Sequence, residues 1–279
     1  MPEGDSLFRF ANKLRPVLEG EAIEAARSHG PGPVPRVQLI VGKRCTGVRS
    51  QGKNLIISFE NGLALRGHLR MYGTWHVYAK GEPWRKPERE ARLVLEVAAA
   101  VVVNFSAPVI ELIEERALVA HQPIAGLGPD LLDDDFDADE AFRRLREPGR
   151  ASLTIGDAIM DQRAFAGVGN IWKHETLFHC GLNPWRTVGS LDDETVRGLI
   201  AKARDLLRAS VGKAGPDGTR PQRPTMWVYA RPGQPCRRCF TRLRTNRQGV
   251  DIRYTTWCPR CQPLVEGQPL PPERGRGGA

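Results

Sequence analysis

The chain has 279 residues, more than one small core needs, so two domains are the expectation and a single small binding module is excluded. Its 41 Lys and Arg outweigh 32 Asp and Glu, for a formal charge of +9, and such an excess attracts polyanions through phosphate neutralisation and counterion release. No apolar run is long enough for a bilayer, and Met1-Pro-Glu-Gly-Asp5 lacks the charged start and apolar stretch of a secretion signal, so no membrane association and a cytoplasmic location are expected.

Chain order begins with chemistry. Proline after Met1 permits removal of the initiator methionine, which would leave Pro2 with a free secondary amine able to attack an electrophilic carbon and form an iminium ion. An α-amino group titrates near pH 8, so about a tenth of it is unprotonated at neutral pH, and the Glu3 carboxylate beside it can shuttle protons. Pro-Glu-Gly is also an ordinary start for a disordered tail. From Asp5 to Leu18 apolar residues keep helical spacing, with Asp5 or Ser6 as cap, Gly20 as stop, and Pro16 expected to end or bend the helix early. From Val34 to about Ile113 the texture turns to short β-branched runs, with Glu60-Asn61-Gly62 marking a tight hairpin, which predicts a sandwich or barrel.

The stretch 127–140 carries seven acids and no base, and is expected to link the strand-rich half to a helical half. Ser152 is expected to cap a helix to Asp161, a glycine turn Ala166-Gly-Val-Gly169 follows, and Asn170 opens a helix that stops near Gly181. Ser190 with Asp193 resembles a capping box for a helix over 191–211 whose stripe is Val196, Ile200, Ala203, Leu207 and Val211. Near the end, Cys236-x2-Cys239 and Cys258-x2-Cys261 have the spacing of a ribbon whose knuckles give four thiolates to one Zn2+; accidental pairs or a redox motif are the alternatives. Between residues 231 and 254 seven arginines face one aspartate, which suits phosphate oxygens. Cys45 and Cys180 stand alone as reduced packing residues, and 263–279 is expected to be disordered.

These motifs occur in the order found in the formamidopyrimidine-DNA glycosylase and endonuclease VIII family, which the chain resembles from about Pro2 to Gln262. They are the Pro-Glu-Gly start, Ser50-Gln-Gly-Lys53-Asn-Leu, Met160-Asp-Gln-Arg-Ala-Phe-Ala-Gly-Val-Gly-Asn170-Ile-Trp, and Arg253-Tyr-Thr-Thr-Trp-Cys258-Pro-Arg-Cys261-Gln262. The resemblance implies an α+β multidomain fold: an N-terminal β-sandwich with its helix over 1–126, a linker and helix-two-turn-helix domain over 127–220, and a zinc ribbon over 221–262. It implies Pro2 as nucleophile and Glu3 as proton shuttle. Gly169 and Asn170 would hold a phosphate at a helix start, and Lys53 and Arg253 would clamp the phosphates flanking an extruded nucleotide.

Chemistry on a base requires taking it out of the stack, and the vacancy must be filled. His68-Leu-Arg70-Met71-Tyr72-Gly lies where the family carries its void-filling loop, so Met71 is the expected wedge with Arg70 and Tyr72 beside it; packing of Met71 and Tyr72 inside the sandwich is the alternative. The 8-oxoguanine branch usually shows Arg-Arg-Phe-Gly where this chain has Asn104-Phe105-Ser-Ala-Pro108, so the endonuclease VIII branch and oxidised pyrimidines are expected. Asp5-Ser6 in place of Pro-Glu and Trp172 in place of tyrosine are further departures. The implied protein is a monomeric, nucleoid-associated bacterial glycosylase and abasic-site lyase acting on damaged double-stranded DNA by β,δ-elimination. An 8-oxoguanine glycosylase, a non-catalytic damage sensor and a zinc-ribbon RNA or transcription factor are the rivals.

Overall fold

The structure, a computed structural model, describes residues 2–30, 34–212 and 225–264. The expectation of a disordered tail falls, from residue 265 on, outside them. The described residues form two compact units, one within Met1–Gly126 and one containing Leu127–Gly212 and the segment beyond Pro221. No helix among the described residues is long and apolar enough to cross a membrane.

The first unit opens with α1 (Gly4–Leu18), whose Leu7, Ala11, Leu14 and Leu18 recur at helical spacing and are buried. The N-cap is Glu3, two residues before Asp5 and three before Ser6, and Asp5 instead pairs with Arg9 at 3.0 Å, both buried. Pro16 does not end it, because in the last turn its missing N–H forfeits one hydrogen bond and the helix runs on to Leu18.

Eight strands follow: β1 (Ala25–Ser28), β2 (Cys45–Gln51), β3 (Asn54–Phe59), β4 (Leu63–His68), β5 (Thr74–Ala79), β6 (Ala91–Glu96), β7 (Ala100–Phe105) and β8 (Val109–Glu114). They make two antiparallel sheets, ordered β1-β6-β7-β5 and β2-β3-β4-β8. Leu55, Ile57, Phe59 and Leu65 of one sheet and Trp75, Leu93, Leu95 and Val102 of the other share a core with the apolar face of α1, the sandwich expected. The expected Glu60-Asn61-Gly62 turn joins β3 to β4. Cys45 is buried, and burial pushes its thiol up to about 11.

After the short α2 (Gln122–Ala125) the second unit carries α3 (Ala138–Leu145), α4 (Ile155–Ala158), α5 (Asn170–His179), α6 (Asp193–Val211) and the hairpin β9 (Arg244–Gln248) with β10 (Arg253–Trp257). The acidic stretch runs into α3 and is docked on α6: Leu131 and Leu132 are buried, Asp137 caps α3, and Asp134 and Asp139 meet Arg208 and Arg197 of α6 at 2.9 and 2.6 Å. Two expected caps move. Thr154, not Ser152, caps α4, which ends at Ala158, and Asp192, not Ser190, caps α6 by accepting from Thr195 N. Of the expected stripe, Val196, Ile200, Ala203 and Leu207 are buried and Val211, at the last residue of the helix, is half-buried.

Candidate nucleic-acid interface

In the first unit Pro2 is half-buried and Glu3 is 1% exposed at the start of α1. A carboxylate at a helix N-terminus faces the positive end of the backbone dipole, and the Glu3 carbonyl anchors the first turn by accepting from Ser6 N and Leu7 N at 2.9 and 3.2 Å. Pro2 thus stands on a packed helix end with a buried acid next to it. That is the arrangement an iminium-forming nucleophile with an adjacent proton shuttle requires.

Lys53 occupies the tip of the β2–β3 hairpin. Gln51 pairs with Asn54, leaving Gly52-Lys53 as a two-residue turn whose first residue has φ 57, which glycine adopts without strain. Asn54 braces this tip from below: its Nδ2 donates to Gln51 O at 3.1 Å, and its Oδ1 accepts from Arg66, which also binds Glu111 at 2.6 Å. After β4 the loop Leu69-Arg70-Met71-Tyr72-Gly73 turns sharply, with Gly73 N donating to Leu69 O at 3.0 Å. A Cβ on Gly73 would lie 2.8 Å from the Leu69 backbone, so the turn tolerates only glycine there. Leu69 is the buried anchor, whereas Met71 and Tyr72 are 57% and 76% exposed. These two therefore project from the sandwich instead of packing in it, and Arg70 is exposed beside them.

Sequence reasoning gave no role to His68, which the structure places at the centre of this cluster. Burial first, then the charges of Arg66, Lys53 and Arg70, hold its pKa down to about 4. Lys53 and Arg70, named separately from the sequence, thus act on one imidazole and make this edge of the sheet strongly positive. Asn104 and Phe105 are both fully buried, so their strand offers no side chain to a ligand at those positions.

In the second unit the turn before α5 is braced by Gln162, which donates to Val168 O at 2.9 Å and accepts from Gly167 N at 3.1 Å. Gly169, not Asn170, is the N-cap of α5, and the buried Asn170 Oδ1 has no partner. Rotation of that amide puts an N–H donor at the same place, beside a helix start that favours anions.

The following Lys173, His174 and Glu175 are all buried, and each ties α5 to the cysteine module. Lys173 Nζ donates to Thr255 Oγ1 at 2.7 Å, Thr256 N donates to His174 Nε2 at 2.9 Å, and Glu175 accepts from the amides of Trp227, Val228 and Tyr229 at 2.8 to 3.1 Å. Their signal in the sequence is three polar residues inside a helix stretch whose flanks are apolar. Gln248 and Gln262 extend the ties, Gln262 donating to Leu182 O and accepting from Cys258 N. Arg253 begins β10 and is held by Asp251 at 2.9 Å, an exposed pair of the kind that exchanges readily for a stronger anion.

The four cysteines converge as the spacing predicts, with all four sulfurs within 4.8 Å of one another. Cys236 Sγ lies 3.9 Å from Cys261 Sγ and Cys239 Sγ 3.4 Å from Cys258 Sγ. Tetrahedral zinc with bonds of about 2.3 Å needs sulfurs about 3.8 Å apart, so the donor set fits the ion. The amides of Arg238 and Cys261 point at Cys236 and Cys258 sulfurs at 3.4 Å, as thiolate ligands require. Cys180 stands apart, its thiol pushed up to about 11 by burial.

Residues 1–108 match the formamidopyrimidine-DNA glycosylase N-terminal domain, and residues 127–220 match the formamidopyrimidine-DNA glycosylase H2TH domain. A probable endonuclease 8 2 of Streptomyces coelicolor is 36% identical over 100% of this chain and 98% of its own. The chain belongs to the formamidopyrimidine-DNA glycosylase and endonuclease VIII family. Within this family it is also 35% identical to a DNA-(apurinic or apyrimidinic site) lyase Nei2 of Mycolicibacterium smegmatis, over 94% of this chain and 99% of that one. The Lactococcus lactis Fpg, in complex with DNA containing an abasic site, has the same fold: TM-score 0.81 at 22% identity, covering 94% of this chain and all of that one.

Proposed function

We propose that this chain is a DNA glycosylase and abasic-site lyase of base-excision repair that excises oxidised bases, pyrimidines foremost, from duplex DNA. Glycosylase and lyase activity follow from membership of the family at full length. The observation that carries the mechanism is the buried Glu3 carboxylate fixed at the helix end beside Pro2.

With Met1 removed, the Pro2 nitrogen attacks C1′ of the damaged nucleotide while Glu3 protonates the sugar ring oxygen. The glycosidic bond breaks, the base leaves with its bonding electrons and takes up a proton, and an iminium links Pro2 to the opened sugar. Loss of a C2′ proton then expels the 3′ phosphate, and a second elimination expels the 5′ phosphate. Water releases the remaining sugar fragment from Pro2. Lys53 in the first unit and Gly169, Asn170 and Arg253 in the second supply positive or N–H groups for backbone phosphates. Met71, with Tyr72, fills the vacated stack, which the high exposure of both supports. Cys236, Cys239, Cys258 and Cys261 would hold a zinc ion, which would pin the ribbon in a structural role.

The preference for pyrimidines is supported by Asn104-Phe105-Ser-Ala-Pro108, which stands where the 8-oxoguanine branch usually has Arg-Arg-Phe-Gly and whose Asn104 and Phe105 are buried. Borohydride trapping on an abasic duplex tests the mechanism. A covalent adduct is expected, lost in Pro2→Gly; no adduct from the processed protein refutes it. A panel of lesion duplexes tests the preference, and faster excision of 8-oxoguanine opposite cytosine than of thymine glycol or dihydrouracil would overturn it.

A further inference from the structure

We propose that His174 is a positioning residue, whose imidazole fastens strand β10 to the start of helix α5 and so fixes Arg253 relative to Asn170. The inference rests on the reading of Asn170 and Arg253 as phosphate contacts. His174 is 3% exposed, and each of its ring nitrogens meets a backbone group from a different element. Nδ1 lies against Asn170 O, the carbonyl of the first helical residue, and Nε2 accepts from Thr256 N at 2.9 Å. One rigid ring therefore spans the helix start and the ribbon.

The strand it holds needs holding. β10 has a single partner, β9, with Arg253 opposite Gln248 and Thr256 opposite Thr245. A two-stranded hairpin is marginal alone, and an unpaired edge amide is the place where it yields. Thr256 N is such an edge amide, and Arg253 lies three residues along the same strand, about 10 Å at ordinary strand rise. Fixing Thr256 therefore fixes the base from which the Arg253 side chain reaches.

The chemistry of the link needs one tautomer. With its proton on Nδ1 the ring donates to Asn170 O and accepts at Nε2; a proton on both nitrogens would set an N–H against the Thr256 N–H. Burial, with Lys173 next, holds the His174 pKa down to about 3, so the accepting nitrogen is kept near neutral pH. The His174 and Tyr229 rings also pack edge to face with centroids 5.4 Å apart, which restricts rotation of the imidazole.

The test compares full-length zinc-loaded protein carrying His174→Phe, His174→Gln, Arg253→Ala and the double change His174→Phe/Arg253→Ala. Phenylalanine keeps the ring without the acceptor, and glutamine keeps an acceptor at nearly the same reach. Amide exchange at Thr256 is expected to quicken at least tenfold in His174→Phe and to recover in His174→Gln. Binding to a duplex with a tetrahydrofuran abasic analogue is then measured against salt. Loss of one phosphate contact lowers the slope of log K on log salt by about 0.9. His174→Phe should show that loss, Arg253→Ala the same, and the double variant no more than either.

Zinc content, measured alongside, separates this from collapse of the ribbon, and His174→Met serves as a second acceptor-free variant should His174→Phe release the metal. The proposal is overturned by a wild-type slope in the acceptor-free variant, by additive losses in the double variant, or by His174→Gln behaving as His174→Phe. A wild-type slope in Arg253→Ala would instead refute the phosphate reading of Arg253, and the exchange data alone would then decide whether His174 holds the strand.

Discussion

Replacing Glu175 by glutamine should cost the protein far more than a change of one atom suggests. Oε2 accepts from Trp227 N at 2.8 Å, and Oε1 accepts from Val228 N and Tyr229 N at 3.1 and 2.9 Å, all at a site 3% exposed. Glutamine can keep its carbonyl on the side with two amides, but its NH2 group then faces the Trp227 N–H with no acceptor between them. Hydrogen bonds to a charged group contribute roughly 1 kcal/mol more than neutral ones, so the two retained bonds weaken by about 2 kcal/mol together. The stranded amide adds about 1 to 3 kcal/mol. A loss of about 3 to 5 kcal/mol follows, which for a unit of this size lowers the unfolding midpoint by roughly 6 to 20 °C. Calorimetry on the zinc-loaded protein measures it. A Glu175→Gln variant within about 0.5 kcal/mol of the parent, the scatter of ordinary surface changes, would show that the three amides do not depend on the carboxylate.

Three further outcomes are expected. The unfolded chain protonates position 68 near pH 6.5 and the folded chain only near 4, so stability falls as pH drops through that window; His68→Gln should flatten the fall, and an unchanged dependence of urea midpoint on pH would refute the assignment. Met71→Ala and Tyr72→Ala, at 57% and 76% exposure, should leave the unfolding midpoint within about 0.5 kcal/mol of the parent while slowing base excision more than cleavage of a preformed abasic site; equal slowing of both steps would remove them from the wedge role. A chelator should strip one zinc per chain and loosen the ribbon, read by amide exchange across 244–257, and exchange unaffected by metal removal would show that packing on α5 suffices to hold it.

Much of the fold was legible because its signals are local. The helix stripe of α1, the Asn-Gly turn between β3 and β4, and the cysteine spacing each depend on residues a few positions apart, and each appears as expected. Caps were read less well. Asp5, Ser152 and Ser190 are good capping residues by type, yet Glu3, Thr154 and Asp192 take the places, because which of several neighbouring oxygens reaches the amide depends on where the chain enters the helix. The acidic stretch shows the same limit: its composition marks the passage between the halves, but the arginines of α6 that meet it lie more than fifty residues later and leave no local sign.

The site shows the same division between what is local and what the fold assembles. Lys53 lies on the turn between β2 and β3, His68 ends β4 and Arg70 lies in the loop that leaves β4 for the other sheet, and nothing in their spacing says that their charges converge; strand pairing of Asn54 with His68 brings them together. Likewise Lys-His-Glu in the middle of α5 looked unremarkable as sequence, because a helix residue's partner eighty positions away leaves no periodic trace. Yet a polar residue with no exposure must have its hydrogen bonds met from somewhere. Three of them in succession, on a helix whose first residue is a candidate phosphate contact, imply that another element completes the helix. Here that element is the zinc-type ribbon, whose Thr255, Thr256 and Val228 are hydrogen-bonded to the helix that Asn170 begins.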